Sequence, residues 1–250
     1  MSIIKKENGK FICVDTVNLN PELKAEIDSL TSNGSLIEAV IATHPYHTLA
    51  FPDFYLNYPN AKYFGTPRHL KIFDNTVIPW DSELLCENSL RQFEPDLYLR
   101  IPDGAEFVNP LPPTTNHFSN IFVFHAKSKT LHNNDTIMVF ENPGFLLSFF
   151  AKHGDVKFHR SITGPGLYPT KEAPFQFKNW LEKLILDWDF DNICSAHNGN
   201  LIGGAKVALK NTLEKFTPTL QKISDTNAAG GVVTNEGAWT DKPNHPTECG

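Results

Sequence analysis

The chain has 250 residues and a formal net charge of −6, with 40% hydrophobic and 20% charged residues. This length is enough for one domain with a full hydrophobic core, and the composition is typical of a globular protein. The negative charge argues against a broad surface for nucleic acid or anionic membrane, because either partner requires clustered Lys and Arg side chains. The four cysteines include no Cys-x-x-Cys pair, which argues against a zinc ribbon or a redox dithiol.

Targeting signals are also missing from the sequence. No apolar run approaches the roughly 18 residues that cross a bilayer. The polar N-terminus lacks the hydrophobic core of a signal peptide. We therefore predict a cytoplasmic protein that binds neither nucleic acid nor membrane and acts on a small molecule.

The first part of the chain alternates between predicted strands and helices. Residues 11–16 begin with an apolar run typical of a short buried strand. A helix is predicted next, with Asn20 as its N-cap and Pro21 in its first turn. Residues 36–43 are almost continuously apolar and favour a central strand covered on both faces, which leads directly into His44.

The middle of the chain contains shorter elements. Residues 51–60 are predicted to form a helix or turn, and residues 62–66 and 97–101 to form short strands. The proline-rich segment 109–116 cannot be a regular element and is predicted to be a loop leading into His117.

A hairpin and an amphipathic helix are predicted in the second part. Residues 120–124 form one strand of the hairpin, and residues 130–135 return as its partner and end at Asp135. Residues 141–172 give no clear element. Pro174 then opens a helix with an apolar stripe of helical period, which we expect to pack on a sheet.

The end of the chain has one more strand and one more helix. Residues 191–196 are predicted to form a strand that ends at His197, and a last helix follows Gly203 and Gly204. We predict a single layered α/β domain over residues 1–224 and a flexible or loosely docked tail over residues 225–250.

Five metal-ligating residues lie at or near predicted strand ends: His44, His47, His117, Asp135 and His197. Side chains at the ends of neighbouring strands converge at one edge of a sheet. Neutral imidazole and carboxylate are ligands that suit zinc. The same residues are equally compatible with a set of hydrogen-bonded structural groups, so spacing alone leaves both interpretations open.

Four segments together resemble the metallo-β-lactamase superfamily. They are Thr43-His44-Pro-Tyr-His47, similar to its Thr-His-x-His-x-Asp-His motif; Asn116-His117-Phe118, similar to its Gly-His-Thr loop; Asn134-Asp135-Thr136, similar to its Gly-Asp-Thr segment; and Ala196-His197-Asn198, similar to its Gly-His-Gly segment. They occur in the family's order over residues 11–216. The resemblance implies the αββα sandwich of that superfamily and a metal site built from these residues.

The motif departs from the family pattern at the positions of the second metal. In the motif register Tyr46 takes the place of the second His, Thr48 that of the Asp, and Leu49 that of the last His. Thr and Leu cannot supply the carboxylate and imidazole of a second metal. The resemblance therefore implies one zinc ion, with iron as the alternative, held by His44, His117 and Asp135 with His197 and His47 available.

These residues favour a metal-dependent hydrolase of a small ester, lactone or thioester, in which zinc activates water and stabilises the oxyanion. Asp135 and Tyr46 are the predicted catalytic residues, with Tyr46 as an acid or oxyanion donor. Two alternatives stay open: a non-catalytic binding protein that keeps the fold without the chemistry, and a mononuclear iron oxygenase.

Overall fold

The structure is a computed structural model that describes residues 1–73, 76–144, 151–197 and 199–230. The chain forms two compact units, one over Met1–Gln92 and one that begins at Phe93. The single domain over residues 1–224 stays a prediction. Residues 231–250, most of the predicted tail, lie outside the described residues.

The first unit contains a sheet with the strand order β1-β2-β3-β4-β5, in which β1 is antiparallel and the other neighbours are parallel. Helices occupy the connections between the parallel strands. The elements are β1 Ser2–Lys5, β2 Phe11–Val14, α1 Pro21–Thr31, β3 Ile37–Ile41, α2 Phe51–Asn57, β4 Lys62–Gly65, α3 Pro67–Ile72, β5 Trp80–Glu83 and α4 Glu87–Arg91.

Helix α1 begins where its sequence predicts. The side chain of Asn20 accepts a hydrogen bond from the backbone N–H of Leu23 at 2.8 Å, and Pro21 occupies the first turn. Ser32 ends the helix in the left-handed conformation. A capping hydrogen bond of this kind contributes about 1 kcal/mol, so the cap and the proline define the start of α1.

The second unit has a mixed sheet with the order β12-β11-β8-β7-β6 and a separate antiparallel pair, β10-β9. In the larger sheet β11 and β8 are parallel and the other neighbours antiparallel. The elements are β6 Leu97–Arg100, β7 Phe122–His125, β8 Thr130–His132, β9 Ile137–Phe140, β10 Asp155–Phe158, α5 Ala173–Asp187, β11 Asn192–Cys194, β12 Asn200–Ile202 and α6 Ala205–Ala228.

Helix α5 confirms its predicted apolar stripe. Its buried side chains join the core of the second unit and include Phe177, Trp180, Leu181, Leu184 and Ile185. Burying one such side chain stabilises the fold by about 1.5–3 kcal/mol. Helix α6 continues to Ala228, so residues 225–228 are helical and do not belong to an irregular tail. No helix in the described parts of the chain combines the length and apolarity that a membrane crossing requires.

One local prediction is wrong: Asp135 does not end a strand. Strand β8 stops at His132, although the N–H of Asn133 still donates to the carbonyl of Cys194 in β11 at 3.0 Å. The side chain of Asn133 then accepts the N–H of Ile137 at 2.8 Å. Asn side chains commonly compete with sheet pairing in this way, and Asp135 therefore lies in the tight connection between β8 and β9.

His69 anchors the connection that follows β3. It is fully buried, with its ring edge-on to Phe51 and Trp80. Its Nε2–H donates to the carbonyl of His47 at 3.3 Å, and its Nδ1 accepts the hydroxyl of Thr66 at 2.8 Å. Burial lowers the pKa of His69 to about 4, so the ring is neutral and both hydrogen bonds persist at neutral pH.

Because His69 is buried, we predict that acid lowers the stability of the fold. Because the pKa of His69 is about 4 in the folded chain and 6.5 when unperturbed, the unfolded state binds the proton more readily. The free energy of unfolding should therefore fall by roughly 3 kcal/mol as the pH drops from 6.5 to 4. Chemical denaturation across this range should show that His69→Gln lacks this contribution, whereas the exposed His153→Gln keeps it. Equal losses in His69→Gln and the wild type would contradict the prediction.

Candidate metal centre

The end of β3 is fixed by a buried carboxylate. Asp15 follows the neighbouring parallel strand β2 and accepts the backbone N–H of Thr43 at 2.8 Å and its hydroxyl at 2.6 Å. Asp15 has a φ of 55°, a left-handed conformation that Asp tolerates better than most residues. Because parallel strands end at the same edge of the sheet, this contact determines where His44 begins the next loop.

The turn from His44 to His47 brings two imidazoles together. Their rings stack with centroids 4.2 Å apart and an angle of 25° between the planes. The N–H of His47 donates to the carbonyl of His44 at 3.1 Å. His44 is fully buried, and its Nδ1 accepts the N–H of Tyr46 at 3.1 Å, so a neutral His44 carries its proton on Nε2.

Tyr46 lies under a cationic side chain. The guanidinium carbon of Arg68 is 4.6 Å from the centroid of the Tyr46 ring, within the range of a cation–π contact. The catalytic role of Tyr46 stays a prediction.

His117 is oriented by the proline-rich loop that precedes it. Its Nε2–H donates to the carbonyl of Pro113 at 2.9 Å. The loop is closed by the N–H of Asn116, which donates to the carbonyl of Pro112 at 2.9 Å. In a neutral ring this hydrogen bond places the lone pair on Nδ1, and Nδ1 lies 3.5 Å from Oδ2 of Asp135.

Asp135 is held by its neighbours along the chain. The hydroxyl of Thr136 donates to the carbonyl of Phe118, and the N–H of Thr136 donates to Oδ1 of Asn120 at 3.2 Å. These bonds connect the segment that follows His117 to the turn that carries Asp135. The side chain of Asp135 is buried, with 5% of its surface exposed.

His197 approaches the other oxygen of the same carboxylate. Strand β11 runs parallel to β8, with Cys194 paired to His132, so the two chain segments leave the sheet at the same edge. Nε2 of His197 lies 3.2 Å from Oδ1 of Asp135, and the His197 side chain is 61% exposed. His117 and His197 therefore each contact a different oxygen of Asp135.

The five predicted ligands form one group in each unit. In the first unit the rings of His44 and His47 are stacked. In the second unit His117 and His197 both contact Asp135.

Imidazole and carboxylate are donor types that bind zinc. Ligands about 2.1 Å from a tetrahedral zinc ion lie about 3.4 Å from each other, and Nδ1 of His117 lies 3.5 Å from Oδ2 of Asp135. Coordination through Nε2 of His44 would move its proton to Nδ1 and break the hydrogen bond from Tyr46. That loss of about 1 kcal/mol is small beside the roughly 10–16 kcal/mol of a structural zinc site.

Two further histidines contribute to the surroundings. The backbone N–H of His159 donates to the carbonyl of Thr136 at 3.1 Å, and its Nδ1 lies 2.6 Å from the hydroxyl of Ser161. Burial lowers the pKa of His159, while the negative charge of Asp135 acts in the opposite direction.

His69 and Arg68 were missed in the sequence, although they follow β4 just as His44 follows β3, and the same strand-end rule would have selected them.

Comparison with known proteins identifies the fold. No protein-family model matches the chain, and no curated protein matches its sequence. Solved structures do match, and several of them are metallo-β-lactamases. VMB-1, solved at pH 5.5, aligns with a TM-score of 0.52 and 16% identity over 90% of this chain and 84% of its own. A metallo-β-lactamase from Hirschia baltica aligns with a TM-score of 0.49 and 18% identity over 85% of this chain and 83% of its own.

The sequence identity to these proteins is too low to transfer an activity, but the VMB-1 alignment covers most of both chains. It confirms the mixed α/β class and the fold that the four sequence segments predict. The chain therefore has the metallo-β-lactamase fold.

Proposed function

We propose that this protein is a metal-dependent hydrolase of a small ester, lactone or thioester that works with one zinc ion. His44, His117 and Asp135 would hold the ion, and His47 or His197 would supply a fourth ligand. A cytoplasmic location belongs to the same proposal.

The observation that carries the proposal is the contact between His117 and Asp135. Because His117 donates its Nε2–H to Pro113, its Nδ1 presents a lone pair to a carboxylate oxygen 3.5 Å away. Two acceptors facing each other repel unless a cation lies between them. Either a second proton on the ring or a metal ion satisfies this geometry, and we infer the metal ion because imidazole and carboxylate are ligands that suit zinc.

The departures from the family motif favour a single ion. Leu49, in the position of the motif's last His, has 90% of its surface exposed and no ligand atom to offer. Thr48 replaces the carboxylate that would hold a second ion. These two replacements support one ion rather than two.

The reaction would use these side chains in distinct ways. When bound, zinc supplies Lewis-acid polarisation of the carbonyl and makes water acidic enough to attack near neutral pH. Asp135 would accept the proton of the attacking water, and the exposed His197, 3.2 Å from it, would exchange that proton with solvent or with the leaving group. Tyr46 would donate its hydroxyl proton in a hydrogen bond to the developing oxyanion. The water oxygen bonds to the carbonyl carbon, the C–O or C–S bond breaks, and the leaving group takes the proton.

One specific observation favours the non-catalytic alternative. A protonated His117 together with His197 would satisfy both oxygens of Asp135 without any metal. The site would then be a hydrogen-bonded cluster in a binding protein. Metal content separates this alternative from the hydrolase and from the iron oxygenase.

Metal analysis of protein purified without added metal should find about one zinc per chain. Asp135→Asn should weaken zinc binding by at least about 100-fold, because it removes a charged ligand, as measured by competition with a chromogenic chelator. Asp155→Asn, which changes a partly exposed carboxylate of the same unit, should bind zinc like the wild type. Stoichiometric iron would favour the oxygenase, and no metal would favour the binding protein.

Hydrolysis of p-nitrophenyl acetate, γ-butyrolactone and an acetyl thioester should depend on the metal. Turnover should disappear after treatment with a chelator and return when zinc is added back. Asp135→Asn should lower kcat/KM by about 100-fold or more, since it removes both a ligand and a proton acceptor. A zinc-loaded protein that hydrolyses none of the three would contradict the proposed reaction.

A further inference from the structure

Arg68 is a half-buried cation without a polar partner. Its Nε is shielded from solvent and has no hydrogen-bond partner, and within the described part of the chain Arg68 forms no hydrogen bond or ion pair. By contrast, Arg91 pairs with Glu87 at 2.6 Å and Arg100 with Asp187 at 2.8 Å. A shielded guanidinium N–H that binds nothing is unfavourable, so such a group is suited to a ligand that accepts hydrogen bonds.

The guanidinium of Arg68 is held in place by a ring. Its carbon lies 4.6 Å from the centroid of Tyr46. Stacking restricts the plane of the guanidinium but uses none of its N–H donors. A pre-oriented fork of this kind binds a carboxylate or a phosphate through two parallel hydrogen bonds.

The position of Arg68 is tied to the His44–His47 turn by two links. Tyr46, which Arg68 covers, belongs to that turn, and its ring centroid is 6.0 Å from that of His44. The next residue, His69, donates a hydrogen bond to the carbonyl of His47. An anion bound by Arg68 would therefore lie beside the imidazoles of the candidate metal centre.

We propose that Arg68 recognises an oxyanion, a carboxylate or a phosphate, carried by the substrate. The identification of that anion as part of a substrate rests on the proposed function, and it narrows the substrate class to anionic esters, lactones or thioesters. Arg68 is then a specificity-determining residue, and Tyr46 orients it.

Binding to the metal-stripped full chain tests this proposal without relying on turnover. The probes are benzoate, its neutral analogue benzamide, and inorganic phosphate, each titrated by calorimetry or NMR. The wild type should bind benzoate or phosphate more tightly than benzamide. Arg68→Gln should weaken binding of the preferred anion by about tenfold or more and leave benzamide unchanged. Arg91→Gln, which removes an ion-paired cation from the same unit, should bind all three probes like the wild type.

Arg68→Lys is a control for an effect of the substitution on folding. It keeps the charge but loses the two-point contact, so it should bind the anion with intermediate affinity while its circular dichroism and melting temperature stay near those of the wild type. Preference for benzoate indicates a carboxylate substrate, and preference for phosphate a phosphorylated one. Anion binding that is equal in the wild type and in a folded Arg68→Gln would overturn the proposal.

Zinc stoichiometry of the same proteins before stripping and after zinc is added back keeps the two proposals separate. Zinc binding together with anion binding that is independent of Arg68 would overturn this inference and leave the hydrolase standing. Anion binding that depends on Arg68 in a chain that binds no metal would support the inference as an anion-binding site and overturn the hydrolase.

Discussion

The carboxylate of Asp135 is the group on which the candidate site depends. It is buried, and burying an unpaired carboxylate is too costly for a folded protein to tolerate. Both of its oxygens therefore need partners, and imidazole nitrogens lie 3.5 and 3.2 Å away. Since His117 directs a lone pair toward this carboxylate, the site requires positive charge at that point. A proton at that point would favour the binding protein, and a metal ion would favour the metal-dependent hydrolase.

The surrounding polar contacts all serve to place this carboxylate and its imidazoles. Thr136 connects the turn of Asp135 to the backbone at Phe118, and Pro113 selects the nitrogen that His117 presents. Asp15 and His69 act in the same way on the turn from His44 to His47. Buried networks of this kind have well-defined geometry because each donor and acceptor has one partner. A site assembled in this way is pre-organised, which is what metal binding and catalysis both require.

The sequence was informative where a strand end carries a chemically distinctive side chain. The run that forms β3 is apolar enough to identify a central strand, and it led directly to His44. The order of the four family-like segments predicted the fold that the solved structures support. The short strands were harder: β1 and β12 are edge strands of four and three residues, too short for a clear alternating pattern. The position of Asp135 was missed because the side chain of Asn133 accepts the N–H of Ile137 in a tight connection that strand propensity does not register. Arg68 also follows a strand end, but an arginine in a sequence is usually a solvated or ion-paired surface residue, and its lack of a polar partner is visible only in the structure.

The segment from Thr66 to His69 carries both the residue that fixes the His44–His47 turn and the residue proposed to bind an anion. His69 fixes the backbone of the His44–His47 turn through a neutral, buried ring, and Arg68 places a cation over Tyr46 from the adjacent position. Because both side chains leave the same short helix, a shift of that helix would move the imidazoles and the guanidinium together. Arg68 is therefore held relative to the His44–His47 turn by the backbone of α3 and by its contact with Tyr46. On the proposed function, this fixed position would let the protein select substrates by the distance between their anionic group and their scissile bond.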